Sequence, residues 1–262
     1  MANLKIKSLK FSYDVLPVFL DLNFTLRKDK TLSIIGLSGS GKTTLLSILN
    51  SELDYEGEVL IDGKKLSPST IEDTRGLISV VFNDSSFLTD TVKEELKYSL
   101  EQINIDPKVI KQSVDELNDY FGINKLLNKP IDVLSKNDRV LIKILSYAIT
   151  CPKYIAIDDM LSDLDLRTKI LLLNYLNSKN IVLINVTSDL EDILYTDYVM
   201  CLYKGISGID GKSLDVLKEE KILKRLGFSL PFMVDLSIQL KLYGLIDKIY
   251  LNKEAMVKNL WK

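Results

Sequence analysis

The chain has 262 residues, of which 46% are hydrophobic, so it is long enough to bury a substantial core as one large domain. Its 34 basic and 36 acidic residues are interspersed and give a net charge of −2, a balance that argues against a nucleic-acid partner. The sequence has no histidine, which removes the commonest general base and metal ligand. Two cysteines without metal-ligand spacing favour a reducing compartment, and the apolar stretches fall short of the roughly 18 residues of a membrane span.

The order of the predicted elements indicates an α/β protein. The first 62 residues contain the short β-type runs LKIKSLKFSY, FLDLNFTL, TLSIIG and GEVLIDG, which predict a strand-rich lobe. After the strand-like LISVVF (77–82), a helix-compatible region at about 92–149 is divided only by Pro107, Gly122 and Pro130, and we interpret it as a helical insertion.

The second half of the chain returns to alternating strands and helices. The runs YIAID (154–158), NIVLINV (180–186) and YVMCLY (198–203), with the helical SDLDLRTKILLLNYLNS (162–178) between the first two, predict a mostly parallel sheet with crossover helices. Beyond Gly211, amphipathic stretches surround the break GFSLP (227–231), where Pro231 is expected to open the last helix. This end of the chain is predicted to be a helical appendage.

A phosphate-binding loop is the most specific motif in the sequence. Strand-like TLSII leads into GLSGSGKTT (36–44) and then into the helix-compatible LLSILNSEL, which is the context that G-x-x-x-x-G-K-T requires. The loop backbone can surround a phosphate, Lys42 can reach the β and γ phosphates, and Thr43 can hold Mg²⁺. The predicted nucleotide-binding residues of this loop are Gly36, Ser38, Gly39, Ser40, Gly41, Lys42, Thr43 and Thr44.

Two carboxylates end the apolar strand in YIAIDDMLSDLD (154–165). Because ligands bind at the carboxyl ends of strands in α/β sheets, Asp158 is predicted to hold Mg²⁺, through water. The alternative is that Asp158 and Asp159 only cap the following helix.

These motifs, in this order, resemble those of the ATP-binding subunits of ABC transporters. The ordered set is Tyr13 in FSYD, the phosphate loop, VFNDSSFLTDTV at the glutamine loop, LSKND at the LSGGQ signature, IAIDD, SDLD and NVTSDL. The resemblance implies a P-loop NTPase fold with a RecA-like parallel sheet, an antiparallel β lobe and a helical subdomain. It also implies ATP and Mg²⁺ as ligands, with Tyr13 stacked on adenine.

Three positions that the family uses for catalysis carry shorter side chains here. Asp159 stands where the family has a glutamate that polarises the attacking water, Ser188 where it has a switch histidine, and Asn83 where a glutamine senses the γ phosphate and the metal. Retracting a carboxylate by one methylene moves it roughly 1.5 Å, and misplacement by about 1 Å can cost on the order of a hundredfold in rate. We therefore expect slow hydrolysis.

The signature segment LSKND (134–138) allows two readings. Ser135 and Asp138 approximate a capping box, so the segment is a satisfactory helix start. In the family, the corresponding serine and glycines close over the nucleotide of the partner subunit, a role that the resemblance assigns to Ser135. Side chains at 136 and 137 crowd that approach, although Lys136 or Arg139 would partly compensate for the charge of Asp138.

The C-terminal LGFSLP and the amphipathic helix after it resemble those of energy-coupling factor (ECF) transporter ATPases; an ordinary packing helix is the alternative. The resemblance implies an ATPase domain at 1–210, with a helical subdomain at about 84–149, and a C-terminal extension at 211–262. It further implies vitamin or micronutrient uptake at the cytoplasmic face of the membrane, with an integral membrane coupling subunit and a second ATPase subunit, a heterodimer being favoured over a homodimer. A nucleotide-gated regulatory or scaffold subunit remains the alternative function, while a soluble ABC ATPase of DNA repair or translation fits a single cassette poorly.

Overall fold

A computed structural model describes residues 2–27 and 30–260 of the chain. Its strands are β1 (Ala2–Tyr13), β2 (Leu16–Arg27), β3 (Leu32–Ile35), β4 (Glu56–Ile61), β5 (Lys64–Lys65), β6 (Ile78–Val81), β7 (Tyr154–Asp158), β8 (Val182–Thr187), β9 (Tyr198–Tyr203) and β10 (Ile206–Lys212). Its α-helices are α1 (Lys42–Leu49), α2 (Ile71–Thr74), α3 (Val92–Glu101), α4 (Pro107–Phe121), α5 (Lys136–Ala148), α6 (Leu166–Ser178), α7 (Ser213–Val216), α8 (Glu220–Arg225), α9 (Phe232–Leu242) and α10 (Lys253–Leu260).

The described strands form two sheets. An antiparallel sheet with the order β2-β1-β4-β5 makes the N-terminal lobe, as the sequence predicts. The run TLSIIG, which was grouped with that lobe, instead forms β3 of the second sheet, and β5 was not predicted. The second sheet has the order β10-β9-β3-β8-β7-β6, and all its pairs are parallel except β10 with β9. The predicted mostly parallel sheet is therefore confirmed, with an unforeseen antiparallel edge strand, β10.

The second sheet brings four loops together at one edge. The strands β3, β8, β7 and β6 are consecutive neighbours and parallel, with Ile35 beside Thr187 and Asp158 beside Val186. The carboxyl ends of parallel strands meet at the same edge, where α/β proteins bind their ligands. This edge therefore carries the phosphate loop together with the segments that begin at Asn83, Asp159 and Ser188.

The helical insertion follows the sequence signals closely. Pro107 is the first residue of α4, where its missing N–H costs nothing, and Gly122 ends α4 in the left-handed conformation at φ +67°. Leu96 of α3, Leu117 of α4 and Ile144 of α5 are fully buried in one cluster that continues into β7. The insertion is thus packed onto the parallel sheet through an apolar core.

The C-terminal helices pack against β9, the strand next to the edge strand β10 of the same sheet. Cys201 of β9 lies in one cluster with Leu223, Phe228 and Val234. Pro231 immediately precedes α9, as predicted, but α9 is not the last helix, because α10 follows at 253–260. The boundary at 210/211 falls within β10 and stays a prediction. No helix in the part of the chain that the structure describes combines the length and apolarity needed to cross a bilayer.

Candidate nucleotide site

The phosphate loop connects β3 to α1 through a tight turn. Gly39 and Gly41 have φ values of +78° and +97°, in the left-handed region that glycine tolerates best. A Cβ on Gly36 would lie 2.1 Å from Ser40 Oγ, and one on Gly41 would lie 2.8 Å from Val18 Cγ1. Sequence reasoning did not single out Val18, which packs on the loop from β2. The glycines therefore permit both the curvature of the loop and its close contacts.

The start of α1 is suited to an anion. Gly41 is the N-cap and offers no side chain to the first N–H groups of the helix, which leaves them for a ligand. Ser40 Oγ is buried and has no hydrogen-bond partner among the described residues. The two observations fit a bound phosphate group.

Lys42 lies within the loop and bonds to its backbone. Its Nζ donates to Gly36 O at 2.6 Å and to Leu37 O at 3.2 Å. Burial lowers the pKa of Lys42, and the charges of Asp159 and Asp158 oppose that effect. The ammonium group thus bonds to its own loop within electrostatic range of the two carboxylates, and phosphate oxygens could replace the carbonyl partners.

Asp158 is the last residue of β7, Asp159 follows it, and both are partly buried. Burial raises the pKa of Asp158, as does the neighbouring Asp159, while Lys42 opposes the rise. The helix-capping alternative is wrong for this pair. The N-cap of α6 is Asp165, whose side chain accepts from Thr168 N–H at 2.9 Å.

Asp159 and Ser188 bond to one another directly. Ser188 Oγ donates to Asp159 Oδ2 at 3.0 Å, and Ser188 N–H donates to Asp159 Oδ1 at 3.3 Å. Asp159 has a left-handed backbone with φ +51°, and its N–H donates to Val186 O at 2.7 Å. The structure therefore brings together the two residues that the sequence places at the catalytic-acid and switch positions.

Asn83 follows β6 with an exposed side chain, in a segment that is anchored by α5. Lys143 Nζ donates to Asn83 O at 3.1 Å and to Ser85 O, and it lies 5.3 Å from the centre of the Phe87 ring. Burial lowers the pKa of Lys143. Sequence reasoning missed Lys143; its only signal was a lysine on the otherwise apolar face of α5.

Tyr13 ends β1 and is 50% exposed. Its ring is nearly perpendicular to the ring of Phe11, with the ring centres 4.8 Å apart and the planes at 87°. The side chain is half exposed, and adenine stacking on it stays a prediction.

LSKND forms a capped helix start. Ser135 is the N-cap of α5, accepts from Asp138 N–H at 3.1 Å and donates to Asp138 Oδ2 at 2.8 Å. Lys136 and Arg139, the cations expected to compensate partly for the charge of Asp138, each form an ion pair with another carboxylate, and the compensation stays a prediction. Lys136 lies 2.6 Å from Asp163, and Arg139 lies 2.7 Å from Asp132.

Asn137 joins the signature segment to α6 of the same chain. Its Oδ1 accepts from Asp165 N–H at 2.9 Å, and its Nδ2 donates to Thr168 Oγ1 at 3.3 Å. Together with the pair between Lys136 and Asp163, these bonds tie the start of α5 to SDLD. The side chains that replace the family's glycines therefore have structural partners within this chain.

The family of the chain follows from a match that spans the phosphate loop, the signature segment and the two aspartates. The family model described as ABC transporter matches residues 19–162, more than half of the chain. The chain belongs to the ABC transporter family. The predicted resemblance is thereby confirmed.

Curated relatives of this ABC chain match along nearly its whole length. The energy-coupling factor transporter ATP-binding protein EcfA of Malacoplasma penetrans is 28% identical over 98% of this chain and 93% of its own. The EcfA1 protein of Leuconostoc mesenteroides is 26% identical over 90% of both chains. The predicted similarity to ECF transporter ATPases is also confirmed.

Solved structures show the same fold. The cbiO1 protein of Clostridium perfringens, described as part of the ABC transporter complex cbiONQ, superposes with a TM-score of 0.75 at 24% identity, covering 88% of this chain and 96% of the other. A structure described as the ATP binding subunit of an ABC transporter gives a TM-score of 0.73 at 21% identity, covering 91% and 99%. The predicted ABC ATPase fold is confirmed.

Proposed function

We propose that this ABC chain is an ATP-binding subunit that couples ATP binding and slow hydrolysis to transport, in a transporter of the energy-coupling factor type. The observation that carries the proposal is the meeting of the phosphate loop, the two aspartates and Ser188 at the carboxyl ends of neighbouring parallel strands. The names of the relatives support the transporter type, and uptake of a vitamin or other micronutrient follows from that resemblance.

The residues at this edge suit a nucleotide with its magnesium ion. The N–H groups at the start of α1 and the ammonium of Lys42 would hold the phosphates, and Tyr13 would stack on the base. Thr43, Asp158 and Asn83 would hold Mg²⁺, which when bound supplies positive charge to the phosphate oxygens. Their oxygen donors are the type that Mg²⁺ prefers.

Asp159 is the residue that would orient and deprotonate water, and Ser188 would fix its carboxylate. Both side chains are shorter than those of the family, so the reach from β7 and β8 toward the phosphates is reduced. Lys42, whose charge acts on both aspartates, adds positive charge where negative charge would develop. A competent binding site with a retracted acid supports slow turnover.

Nucleotide binding and hydrolysis can be separated with two substitutions. Lys42→Met should abolish ATP binding, and Asp159→Asn should retain binding while hydrolysis is lost. Lys125→Met, at an exposed lysine of the helical insertion, is the matched control and should change neither. Fluorescent-nucleotide binding and phosphate release measure the two properties. Unaltered affinity in Lys42→Met would contradict the proposed site, and wild-type binding without any turnover would favour a regulatory or scaffold subunit.

A second ATPase subunit would complete each nucleotide site. Ser135 at the start of α5 would face the nucleotide of the partner, while Lys136 and Arg139 are held in ion pairs within this chain. A homodimer would carry this altered signature at both sites, which supports a heterodimer with a second, different ATPase chain. Light scattering of Asp159→Asn with ATP tests this point: a stable dimer formed by the purified chain alone would contradict it.

An integral membrane coupling subunit would dock beside the segment that begins at Asn83. A groove of about 740 Å³ lies between β6 and the helical insertion, with Phe82, Ile103 and Tyr147 in its lining. The adjoining segment is held at both ends, by Lys143 and by the buried carboxylate of Glu95, which accepts from the N–H groups at 88 and 89 at 3.0 Å. This rigid segment would transmit closure of the ATPase to a subunit at the cytoplasmic face of the membrane.

A point substitution tests the docking surface better than a deletion of residues 85–90. The deletion would leave Lys143 and Glu95 buried without hydrogen-bond partners from this segment. Leu88 is 68% exposed, so Leu88→Asp should leave folding unchanged and weaken recruitment to membranes that contain the coupling subunit. Val109→Asp, at an exposed position of α4, is the control. Recruitment of Leu88→Asp equal to that of the control would contradict this surface.

A further inference from the structure

A buried ion pair lies behind the candidate catalytic acid. Lys169, in the first turn of α6, places Nζ 2.7 Å from Asp192 Oδ1, with the lysine side chain 10% exposed and the aspartate fully buried. The ammonium also lies 5.0 Å from the centre of the Tyr195 ring. Burying such a pair gains little net stability, since the desolvation of both charges offsets their attraction. Its geometry is therefore of more interest than its energy.

Thr187 connects this pair to Asp159. It is the last residue of β8 and is fully buried. Its Oγ1 lies 3.2 Å from Asp192 Oδ2 and 3.2 Å from Asp159 Oδ1, and it accepts from Asp189 N–H at 3.0 Å. A hydroxyl has one proton, so Thr187 can donate to only one of the two carboxylates at a time.

Lys169 makes the two carboxylate acceptors unequal. Its charge-assisted bond occupies one oxygen of Asp192 and neutralises much of the negative charge of that group. Asp159 lacks such a cation at hydrogen-bond distance among the described residues and is the stronger acceptor for the remaining proton. The Thr187 hydroxyl is thereby directed to Asp159.

The hydroxyls of Thr187 and Ser188 differ in their exposure to solvent. Ser188, the other hydroxyl on the Asp159 carboxylate, is exposed, and its bonds can exchange with water or with a phosphate oxygen. Thr187 is closed off from solvent and keeps its place. When Ser188 turns to a phosphate, Thr187 is the side chain that continues to hold Asp159.

We propose that Thr187 is a positioning residue for Asp159, and that the pair formed by Lys169 and Asp192 directs its hydroxyl to the acid. The inference rests on the proposed hydrolytic function. It also connects the site to α6, because Lys169 lies one turn after Asp165, the residue that Asn137 of the signature segment binds. The first turn of α6 thus contacts both the signature segment, through Asn137, and the Asp192 carboxylate beside Thr187.

Valine replaces threonine with the same shape but without the hydroxyl. Thr187→Val, in the full chain co-purified with its partner subunits, should lower kcat by on the order of ten- to a hundredfold, because the acid is no longer held in register. KM for ATP should remain unchanged, since Thr187 contacts none of the proposed phosphate-binding groups. Thr187→Ser, which keeps the hydroxyl, should restore most of kcat.

Thr196→Val is the matched control for the loss of a buried hydroxyl. Thr196 is also buried, and its Oγ1 lies 2.8 Å from Ser33 Oγ, away from the acid. It should reduce thermal stability while leaving kcat unchanged. A kcat of Thr187→Val equal to that of the wild type, or no recovery in Thr187→Ser, would overturn the proposal.

Crystal structures of the wild type and Thr187→Val give a readout that does not depend on turnover. We expect the Asp159 side chain to leave its wild-type rotamer in the variant. An unchanged Asp159 would overturn the positioning role even if the wild type proved not to hydrolyse ATP. Absence of turnover in the wild type, with Asp159 displaced in the variant, would instead count against the proposed function alone.

Discussion

Replacing Lys169 with methionine measures how far the protein depends on its buried ion pair. Methionine preserves most of the apolar stem and removes the charge, so the fully buried Asp192 carboxylate loses its cation and must compete with Asp159 for the single Thr187 proton. Removing one partner of a buried pair costs about 3–5 kcal/mol, because the other charge is left uncompensated. We expect Lys169→Met to lose a free energy of unfolding of that size.

Removing the charge of Asp192 should cost less stability than removing the charge of Lys169. In Asp192→Asn the lysine is left without its partner, but its side chain is already 10% exposed and its flexible stem can carry the ammonium to water. The new amide is neutral and needs no cation, so we expect a smaller loss, of about 1–3 kcal/mol. The double variant should be more stable than Lys169→Met alone, because neither charge is then buried unpaired.

The dependence on pH gives an independent check. Burial raises the pKa of Asp192 above its ordinary value of 3.8, and the hydrogen bond and charge of Lys169 oppose that rise. Without Lys169 the folded pKa rises further, and a carboxyl with a raised folded pKa is stabilised by protonation. The deficit of Lys169→Met should therefore be full at pH values above that folded pKa and should shrink as the pH falls through it.

Urea unfolding followed by circular dichroism, repeated across this pH range, measures all three variants. A larger loss in Asp192→Asn than in Lys169→Met would refute the reasoning from burial. A deficit of Lys169→Met that does not change with pH would refute the reasoning from charge.

Three further outcomes follow from local contacts. Burial raises the pKa of Cys201 to about 11, whereas Cys151 is exposed, so a thiol reagent should label Cys151 alone in the native chain and both residues in urea; labelling of both before unfolding would contradict this. Ser237 Oγ is fully buried and accepts from Tyr250 N–H at 2.9 Å, so Ser237→Ala should lose about 1–3 kcal/mol, and an unchanged melting temperature would count against it. Burial works to raise the pKa of Asp197, but hydrogen bonds from Thr31 hold it below the ordinary value. The stability that Asp197→Asn removes at neutral pH should therefore vanish as the pH falls through that lowered pKa. A difference in stability between the variant and the wild type that persists in acid would be inconsistent with this.

The elements near the nucleotide site could be predicted because their signals are local. Glycine spacing, a lysine and a flanking strand and helix specify the phosphate loop within nine residues, and Pro107 and Gly122 mark the ends of α4 by their backbone preferences. The helix after β7 was predicted from Ser162, but it begins at Leu166, because Asp165 acts as its N-cap. The strand β10 was missed, since ISGIDGK contains two glycines and charged residues that weaken a strand signal.

The support of the site could not be predicted, because it depends on pairs that only the tertiary fold brings together. Lys143 reaches the backbone at Asn83, and Asn137 reaches the start of α6, although neither partner is near in sequence. From the sequence, the polar residues of LSKND were interpreted only as replacements that weaken phosphate binding. Their contacts with SDLD show that side chains at these positions also hold two helices together.

The left-handed backbone of Asp159 limits which residues can replace it. Aspartate occupies such conformations more readily than glutamate does, because its short side chain bonds locally, and other L-residues pay about 1–2 kcal/mol. A single mutation to glutamate would also carry the carboxylate past the hydroxyls that now hold it. A change to the longer acid should therefore lower stability unless the backbone also changes. The fold around position 159 thus favours the shorter acid.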